Sequence, residues 1–521
     1  MSFSGIYAQQ QVLPSPQQIL WHDMEQIMFV HFGPAAWQGR EYDDHSVPLN
    51  RINPTKLDVN QWIDAAQSFD AKMIVFVAKH VGGFCWWQTE TTDYGIKNTP
   101  YKNGMGDVLD ELAKACFERG MKLGIYIYSS DYQVRTPDKQ EAYNQLLYKQ
   151  WEEVLSRYGK QIIELWFDGS TKAPLRDIIK KHVPSAIEFH GPSANIRWVG
   201  NERGICPYPN WYTIDSKEPL SGYTIADPDG DAWVPVEVDV PLKDHHWFWS
   251  RTNEKTLRNL NQLMDIYYYS VGRGAMLLLN SAPDTTGLIP AKDMELYRQF
   301  GDEIHRRFGK SIAETSGNGH IVELQLSKQE TIDHVIIQED ISFGQRVRQY
   351  VIEGRADNNW TVLARGLSIG QKRIEYFSSV KVDAIRLNVV ESTFTPVIKR
   401  LAVFNTGLGE GSAHLLKGEK IEKNIGELRI TSDGQFEFDL SPFIPLAEQY
   451  GLRFKAGDVE IQPIQVSLWL QGVETPGFAT VNADGSVRIN ITAYPDMKKG
   501  SIIIKGRFDK KPPKACQIYL K

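Results

Sequence analysis

The segment IIELWFDGS, residues 162–170, decides the fold. Ile162, Ile163, Leu165, Trp166 and Phe167 are apolar or aromatic, and the run stops abruptly at Asp168-Gly169. A strand apolar on both faces is buried on both faces, the condition of a parallel sheet covered by helices. Similar runs recur along the chain: QIMFVHFG (26–33), KMIVFVAKH (72–80), KLGIYIYSS (122–130), SAIEFHG (185–191), IRWVGN (196–201) and AMLLLNSAP (275–283). Helical segments lie between several of them. In GDVLDELAKACFERG (106–120), Val108, Leu109, Leu112, Ala115 and Cys116 recur every three to four residues. Acids lie early in that segment, Arg119 lies late and Gly120 closes it. EKTLRNLNQLMDIYYYSVG (254–272) and PAKDMELYRQFGDEIHRRFG (290–309) read the same way. Strand and helix alternating over residues 1–310 predict an α/β domain, a (β/α)8-like barrel. An open doubly wound sheet ranks second, because no Gly-x-Gly-x-x-Gly turn follows the first strand.

Beyond residue 310 the pattern changes. Short alternating runs such as HIVELQLS, DHVIIQED, RQYVIEGRA and DAIRLNVVE fill residues 311–406 and predict a β-sandwich. GLGEGS (407–412) reads as a linker. Residues 413–521 give further strands, two of them preceded by the turn pairs Asp433-Gly434 and Asp484-Gly485, and predict an additional small β domain. The length, 521 residues, agrees with several domains. A net charge of −6 argues against a nucleic-acid binder, which would carry a basic stripe. The longest apolar runs are strand-sized, so no membrane span is expected. Cys85, Cys116, Cys206 and Cys516 show no C-x-x-C spacing, and Cys116 falls on the apolar face of a helix. The opening residues MSFSGIYAQQQ resemble the tail of a signal peptide, so a periplasmic or extracellular location is expected.

In a barrel the carboxyl ends of the strands build the active site. Those ends carry His31, His80, Asp168 and His190, and Glu202 follows the 196–201 run. Asp-Gly after a strand is also an ordinary turn, and each histidine has a structural reading; the barrel rim is what favours chemistry. No H-x-H or H-E-x-x-H spacing supports a metal, and none is expected. Two carboxylates on one rim, with histidines and aromatics, fit glycoside hydrolysis. One carboxylate attacks the anomeric carbon and the other protonates the leaving oxygen. Asp168, behind Trp166-Phe167, suits the rigid first role, and Glu202 the second. Asp215, Glu218 and Glu237 are rivals for that second role.

The motifs MFVHFGPAAW (28–37), AKHVGGFCWWQTETTDYGIKN (78–98), ELWFDG (164–169), IRWVGNERG (196–204), WVPVEVDV (233–240) and LMDIYYYSVGRGAMLLLNSAPDTTGLI (263–289) resemble the α-L-fucosidases of glycoside hydrolase family 29. The resemblance implies that Asp168 is the nucleophile and Glu202 the acid/base. It implies that His31 and His80 bind fucose hydroxyls and that Glu41 and Trp87 line the fucose pocket. Trp211, Trp233 and Glu237 would wall the aglycone site. RWVGNE points to the branch selective for α-1,3/1,4-linked fucose in Lewis-type glycans. The expectation is therefore an exo-acting, retaining enzyme that needs no cofactor and takes a fucosylated oligosaccharide. A broad-specificity fucosidase, or a glycan-binding protein with a decayed site, is the alternative. Three departures stand out. Many relatives read K-H-H-D-G-F where this chain has Lys79-His80-Val81-Gly82-Gly83-Phe84, many read S-P-W-D where it has Ser129-Ser130-Asp131, and Tyr42 follows Glu41 where relatives often carry Trp. Residues 311–406 look like a discoidin-type sandwich.

Overall fold

The computed structural model describes residues 11–129, 137–169, 171–217, 220 and 226–409, together with the strands of 423–520. Residues 1–10, on which the export expectation rests, and Ser130-Asp131 lie outside the described residues. The chain divides into two units, Met1–His414 and Leu415–Lys521.

The first unit is built on eight parallel strands: β1 (Gln26–Val30), β2 (Met73–Lys79), β3 (Lys122–Ile127), β4 (Ile162–Trp166), β5 (Ile187–Phe189), β6 (Arg197–Trp198), β7 (Val236–Pro241) and β8 (Met276–Ser281). Their order is β5-β4-β3-β2-β1-β8-β7-β6, and a parallel bridge between Phe189 and Ile196 brings the two edges together. The predicted barrel is therefore present and nearly closed. Alternation along each strand divides two cores. Ile27, Phe29, Met73, Val75, Tyr126, Trp166, Phe189 and Leu278 pack together inside the barrel. Met28, Val30, Ile74, Ile125, Leu165, Phe167 and Leu279 face the surrounding helices. The double burial of β4 explains why 162–167 is apolar almost throughout.

The helix Val108–Arg119 shows why these segments form as the pattern predicts. Asp107 caps it by accepting from the Asp110 N–H at 2.9 Å, and Gly120 ends it in the left-handed region at φ 68°. Cys116 is buried on its inner face. The helices Leu260–Tyr269 and Ala291–Phe308 likewise lie within the segments read as helical.

The eighth strand, β7, was not among the predicted ones. Its sequence VEVDVP alternates valine with carboxylates, which reads as a half-exposed segment, yet Glu237 and Asp239 are both buried. The acids point into the barrel, where ordinary strands carry apolar residues.

Residues 313–404 form a six-stranded antiparallel sheet. Its long strands Ile321–Glu339 and Arg373–Ser392 break register at bulges after Gln325 and Ile332. The sheet bends there and encloses its own core, including Val335, Tyr350, Ile352, Ile385 and Leu387. It packs on the barrel through buried polar contacts. The Tyr268 hydroxyl lies 2.8 Å from His334 Nε2, and the Tyr212 hydroxyl accepts from the Gln371 N–H at 2.8 Å. In the second unit the described strands make two antiparallel sheets around Leu428, Phe436, Phe454, Leu468, Ile504 and Ile518.

Candidate active site

At the carboxyl ends of β1 to β4, side chains that continue the inward-facing rows converge. Asp168 follows Glu164 and Trp166 on the inner face of β4. Tyr126 of β3 donates its hydroxyl to Asp168 Oδ2 at 3.1 Å. Asp168 is open to solvent on one side and crowded by protein on the other. Crowding raises its pKa and the Tyr126 hydrogen bond lowers it. Trp166 stacks on Phe189 at 4.1 Å and on Tyr126 at 5.2 Å, which fixes the strand end carrying Asp168.

His31 and His80 stand beside it, their ring centroids 5.8 Å apart. The Asn280 amide oxygen is 2.7 Å from His31 Nδ1, and Asn280 also donates to the Trp247 carbonyl at 2.9 Å. Burial depresses the pKa of both histidines, His80 to about 3, so both are neutral near pH 7. His80 Nδ1 is buried and meets no protein partner. A neutral imidazole with an open nitrogen suits a sugar hydroxyl.

Glu202 is half-buried and accepts from Trp247 Nε1 at 3.2 Å. Burial raises its pKa first; the Trp247 hydrogen bond opposes this, and the charges of Asp168 and Glu41 add to it. The sequence reading expects a proton-holding acid here, and these surroundings favour one. Glu41 is tied on both oxygens. One accepts from the backbone N–H groups of Trp247 and Phe248 at 2.8 and 3.2 Å, and the other lies 2.8 Å from His246 Nδ1. Glu41 therefore also holds the loop whose indole holds Glu202.

The remaining predicted residues lie elsewhere. Trp87 is fully buried among the outer helices and donates to Glu153 at 2.9 Å, so it does not line the pocket. Its neighbour Trp86 stacks on Phe32 at 4.4 Å and borders a small cleft with His80 and Phe248. Trp211 and Trp233 sit at the amino-terminal end of β7, the opposite end of the barrel. Arg348 of the C-terminal sheet lies over the Trp211 ring at 4.7 Å, and Trp233 packs on Tyr212 at 5.1 Å and near His22 at 6.1 Å. They cannot wall an aglycone site at the Asp168 end. Glu237 is fully buried beneath Trp166, accepts its indole N–H at 2.8 Å and faces Glu164. It has no path to substrate. Of the rivals to Glu202, Asp215 lies on the hairpin at the far end and Glu218 is outside the described residues.

Three site residues escaped the sequence reading. Trp247, in DHHWFWS, joins Glu202, Glu41, Asn280 and the face of His31, whose ring is 5.0 Å away. Asn280 is the penultimate residue of β8, inside the run AMLLLNSAP, where a polar residue near a strand end was the available signal. Asp239 is buried at the end of β7, accepts from Trp198 Nε1 at 2.5 Å, and is held well above the usual carboxylate range by burial and the charge of Glu202. Among the described residues no cluster of three or more His, Cys, Asp and Glu is arranged to hold a metal. A cavity of about 490 Å³, lined by Leu20, Met24, Asp70 and Lys122, opens at the amino-terminal end of the barrel, away from this chemistry.

Comparison with known proteins agrees with the geometry. The α-L-fucosidase family model matches residues 5–307. Alpha-L-fucosidase 1 of Arabidopsis thaliana is 28% identical over 445 residues, covering 75% of this chain and 87% of the plant protein. A Bacteroides thetaiotaomicron structure assigned to the α-L-fucosidases superposes with a TM-score of 0.72 at 33% identity, covering 76% of this chain and all of that one. A glycoside hydrolase 29 member from an unknown rumen bacterium reaches 0.71 at 26% identity and covers 98% of this chain and 96% of its own. With its barrel, its paired rim carboxyls and a family match across more than half its length, the chain belongs to the α-L-fucosidases of glycoside hydrolase family 29.

Proposed function

We propose that the chain is an exo-acting, retaining α-L-fucosidase that removes α-1,3/1,4-linked fucose from Lewis-type glycans. The observation that carries the chemistry is two carboxyls at one rim in different surroundings. Burial raises both, but Asp168 is solvent-exposed and accepts from Tyr126, whereas Glu202 is half-buried and is raised further by the charges of Asp168 and Glu41. In the proposed first step the Asp168 carboxylate forms a bond to the anomeric carbon while Glu202 gives its proton to the departing glycosidic oxygen. In the second, Glu202 takes a proton from water, which attacks the ester and releases fucose. His31 and His80 recognise hydroxyls. Tyr126 steadies Asp168, and Trp247 steadies Glu202.

The linkage preference rests on the segment Arg197–Glu202, RWVGNE. A broad-specificity enzyme is the second reading, favoured by the placement of Trp211, Trp233 and Glu237 away from the rim. Initial rates on Lewis a or Lewis x trisaccharide, a 2'-fucosyl disaccharide and an aryl fucoside separate the two. The proposal predicts at least about tenfold higher kcat/KM on the Lewis trisaccharide than on the 2'-linked sugar, because aglycone contacts become transition-state stabilisation. Equal values refute the linkage preference, and no release from any of the three refutes the enzyme reading.

A further inference from the structure

The segment after Gly39 is fastened to the site at several points. Glu41 grips the 246–248 loop. The Tyr42 ring lies over His80, with centroids 6.2 Å apart and planes within 23°. His45 stacks on Tyr94 at 4.0 Å and places its Nε2 2.7 Å from the carbonyl of Gly82. Between these points Asp43 is buried, only 3% exposed. Its carboxylate accepts from Gln38 Nε2 at 2.7 Å, the His45 N–H at 2.9 Å and the Tyr94 hydroxyl at 2.8 Å.

Gly82 is what admits that carboxylate. A Cβ at position 82 would stand 2.3 Å from Asp43 Oδ2 and 2.5 Å from Asp43 Cβ, distances no side chain tolerates. Gly82 does not have the positive φ that favours glycine, so its backbone would accept a side chain. Space alone demands glycine here. The K-H-H-D-G-F that many relatives read carries aspartate at this position, two residues after His80. An aspartate at 82 and one at 43 would compete for the same volume.

We propose that Asp43 is a positioning residue for sugar binding, supplying from the 40–46 segment the carboxylate that the β2 loop carries at position 82 in many relatives. By filling the space above Gly82 and anchoring His45 and Tyr94, it fixes Glu41 and Tyr42 relative to His80. The proposal rests on the reading of Glu41 and His80 as the sugar pocket. It makes positions 43 and 82 exchangeable: the carboxylate works from either loop, but not from both and not from neither.

The test compares Asp43→Gly, Gly82→Asp and the double exchange, with L-fucose inhibition and aryl-fucoside kinetics as readouts on variants whose thermal melts show them folded. Each single variant is expected to weaken fucose inhibition about tenfold and raise KM, with kcat changed less than about threefold. The double variant is expected to return to within about threefold of the parent, because neighbouring sites are not additive. Gly82→Ala gives a second readout: its methyl group would meet Asp43, so Asp43→Gly is expected to restore the thermal melt of Gly82→Ala but, with no carboxylate at either position, not its fucose inhibition. A double exchange no better than the worse single variant, or normal fucose inhibition in Asp43→Gly, overturns the proposal. Glu41→Gln in the same series tests the pocket itself. Normal inhibition there refutes the pocket reading, whereas impaired Glu41→Gln beside an exchange that fails to recover refutes only the part given to Asp43.

Discussion

Replacing Trp247 with phenylalanine isolates a single hydrogen bond at the acid/base. The indole N–H donates to Glu202 Oε2 at 3.2 Å, and this bond lowers the Glu202 pKa against the upward pull of burial and of the Asp168 and Glu41 charges. Phenylalanine keeps an aromatic face toward His31 but has no donor. Hydrogen bonds to charged groups contribute about 1.5–3 kcal/mol. Glu202 is only half-buried and the bond is long, so about 1 kcal/mol is the working figure at such a site. At about 1.4 kcal/mol per tenfold, the loss moves the alkaline limb of the kcat/KM profile by roughly 0.7 of a pH unit. The sign follows from the ionised form being the one stabilised. Without the bond the proton is held more tightly, so the acid persists to higher pH and the limb moves up. The assay is fucose release from a Lewis trisaccharide across pH 4–9, because an unactivated leaving group needs the acid. A limb that stays in place, or moves down, refutes Trp247 as a partner of Glu202 and weakens Glu202 as the acid.

Glu202→Ala is expected to lose turnover of the natural trisaccharide by about 10²–10⁴, while an aryl fucoside, whose phenol leaves without help, still forms the intermediate. Azide should then restore turnover of the aryl substrate and give the α-fucosyl azide; near-normal activity on the trisaccharide moves the acid/base role to another carboxyl. Glu237→Gln is expected to remain active, because Glu237 lies beneath Trp166 and meets no substrate. Burial raises the pKa values of both Glu164 and Glu237, Glu164 to about 7 although hydrogen bonds from Trp21 and Glu237 oppose it, and the charge of Glu164 raises Glu237 further. Their contribution to stability is therefore fully present below about pH 4.5, where unfolded carboxyls titrate, and is lost as pH rises through 7. Thermal melts should show Tm of the parent falling across that window more steeply than Tm of Glu237→Gln, and identical slopes would refute proton sharing by the pair.

The strand ends were legible because burial leaves its mark: β4 is apolar until the barrel opens at Asp168. Asp168, Glu202, His31, His80 and Glu41, read from such ends and the motifs beside them, come together at one rim. The failures have separate physical causes. β7 hid because its inward positions are carboxyls, so the alternation of Glu237 and Asp239 with valines imitated a solvent-facing strand. Trp86 and Trp87 look alike in one dimension, and only their partners tell them apart: Trp87 donates to Glu153, whereas Trp86 borders the cleft with His80. Trp211 and Trp233 were misplaced because the excursion between Glu202 and β7 travels the full height of the barrel. A motif near a catalytic residue in sequence then ends beside Tyr212 and His22 at the other end. Trp247 and Asp239 lacked a local signal altogether. Their roles exist only where β6, β7 and the 246–248 loop meet.

The most direct measurement is mass spectrometry of the enzyme trapped with a 2-deoxy-2-fluoro-fucosyl donor bearing a good leaving group. The fluorine slows both steps, and the activated leaving group lets the first outrun the second, so a covalent intermediate accumulates. A single fucosyl adduct on the peptide containing Asp168, absent from Asp168→Asn, is the predicted result. An adduct on Glu202 or Asp239, or steady hydrolysis with inverted configuration and no adduct, would contradict it.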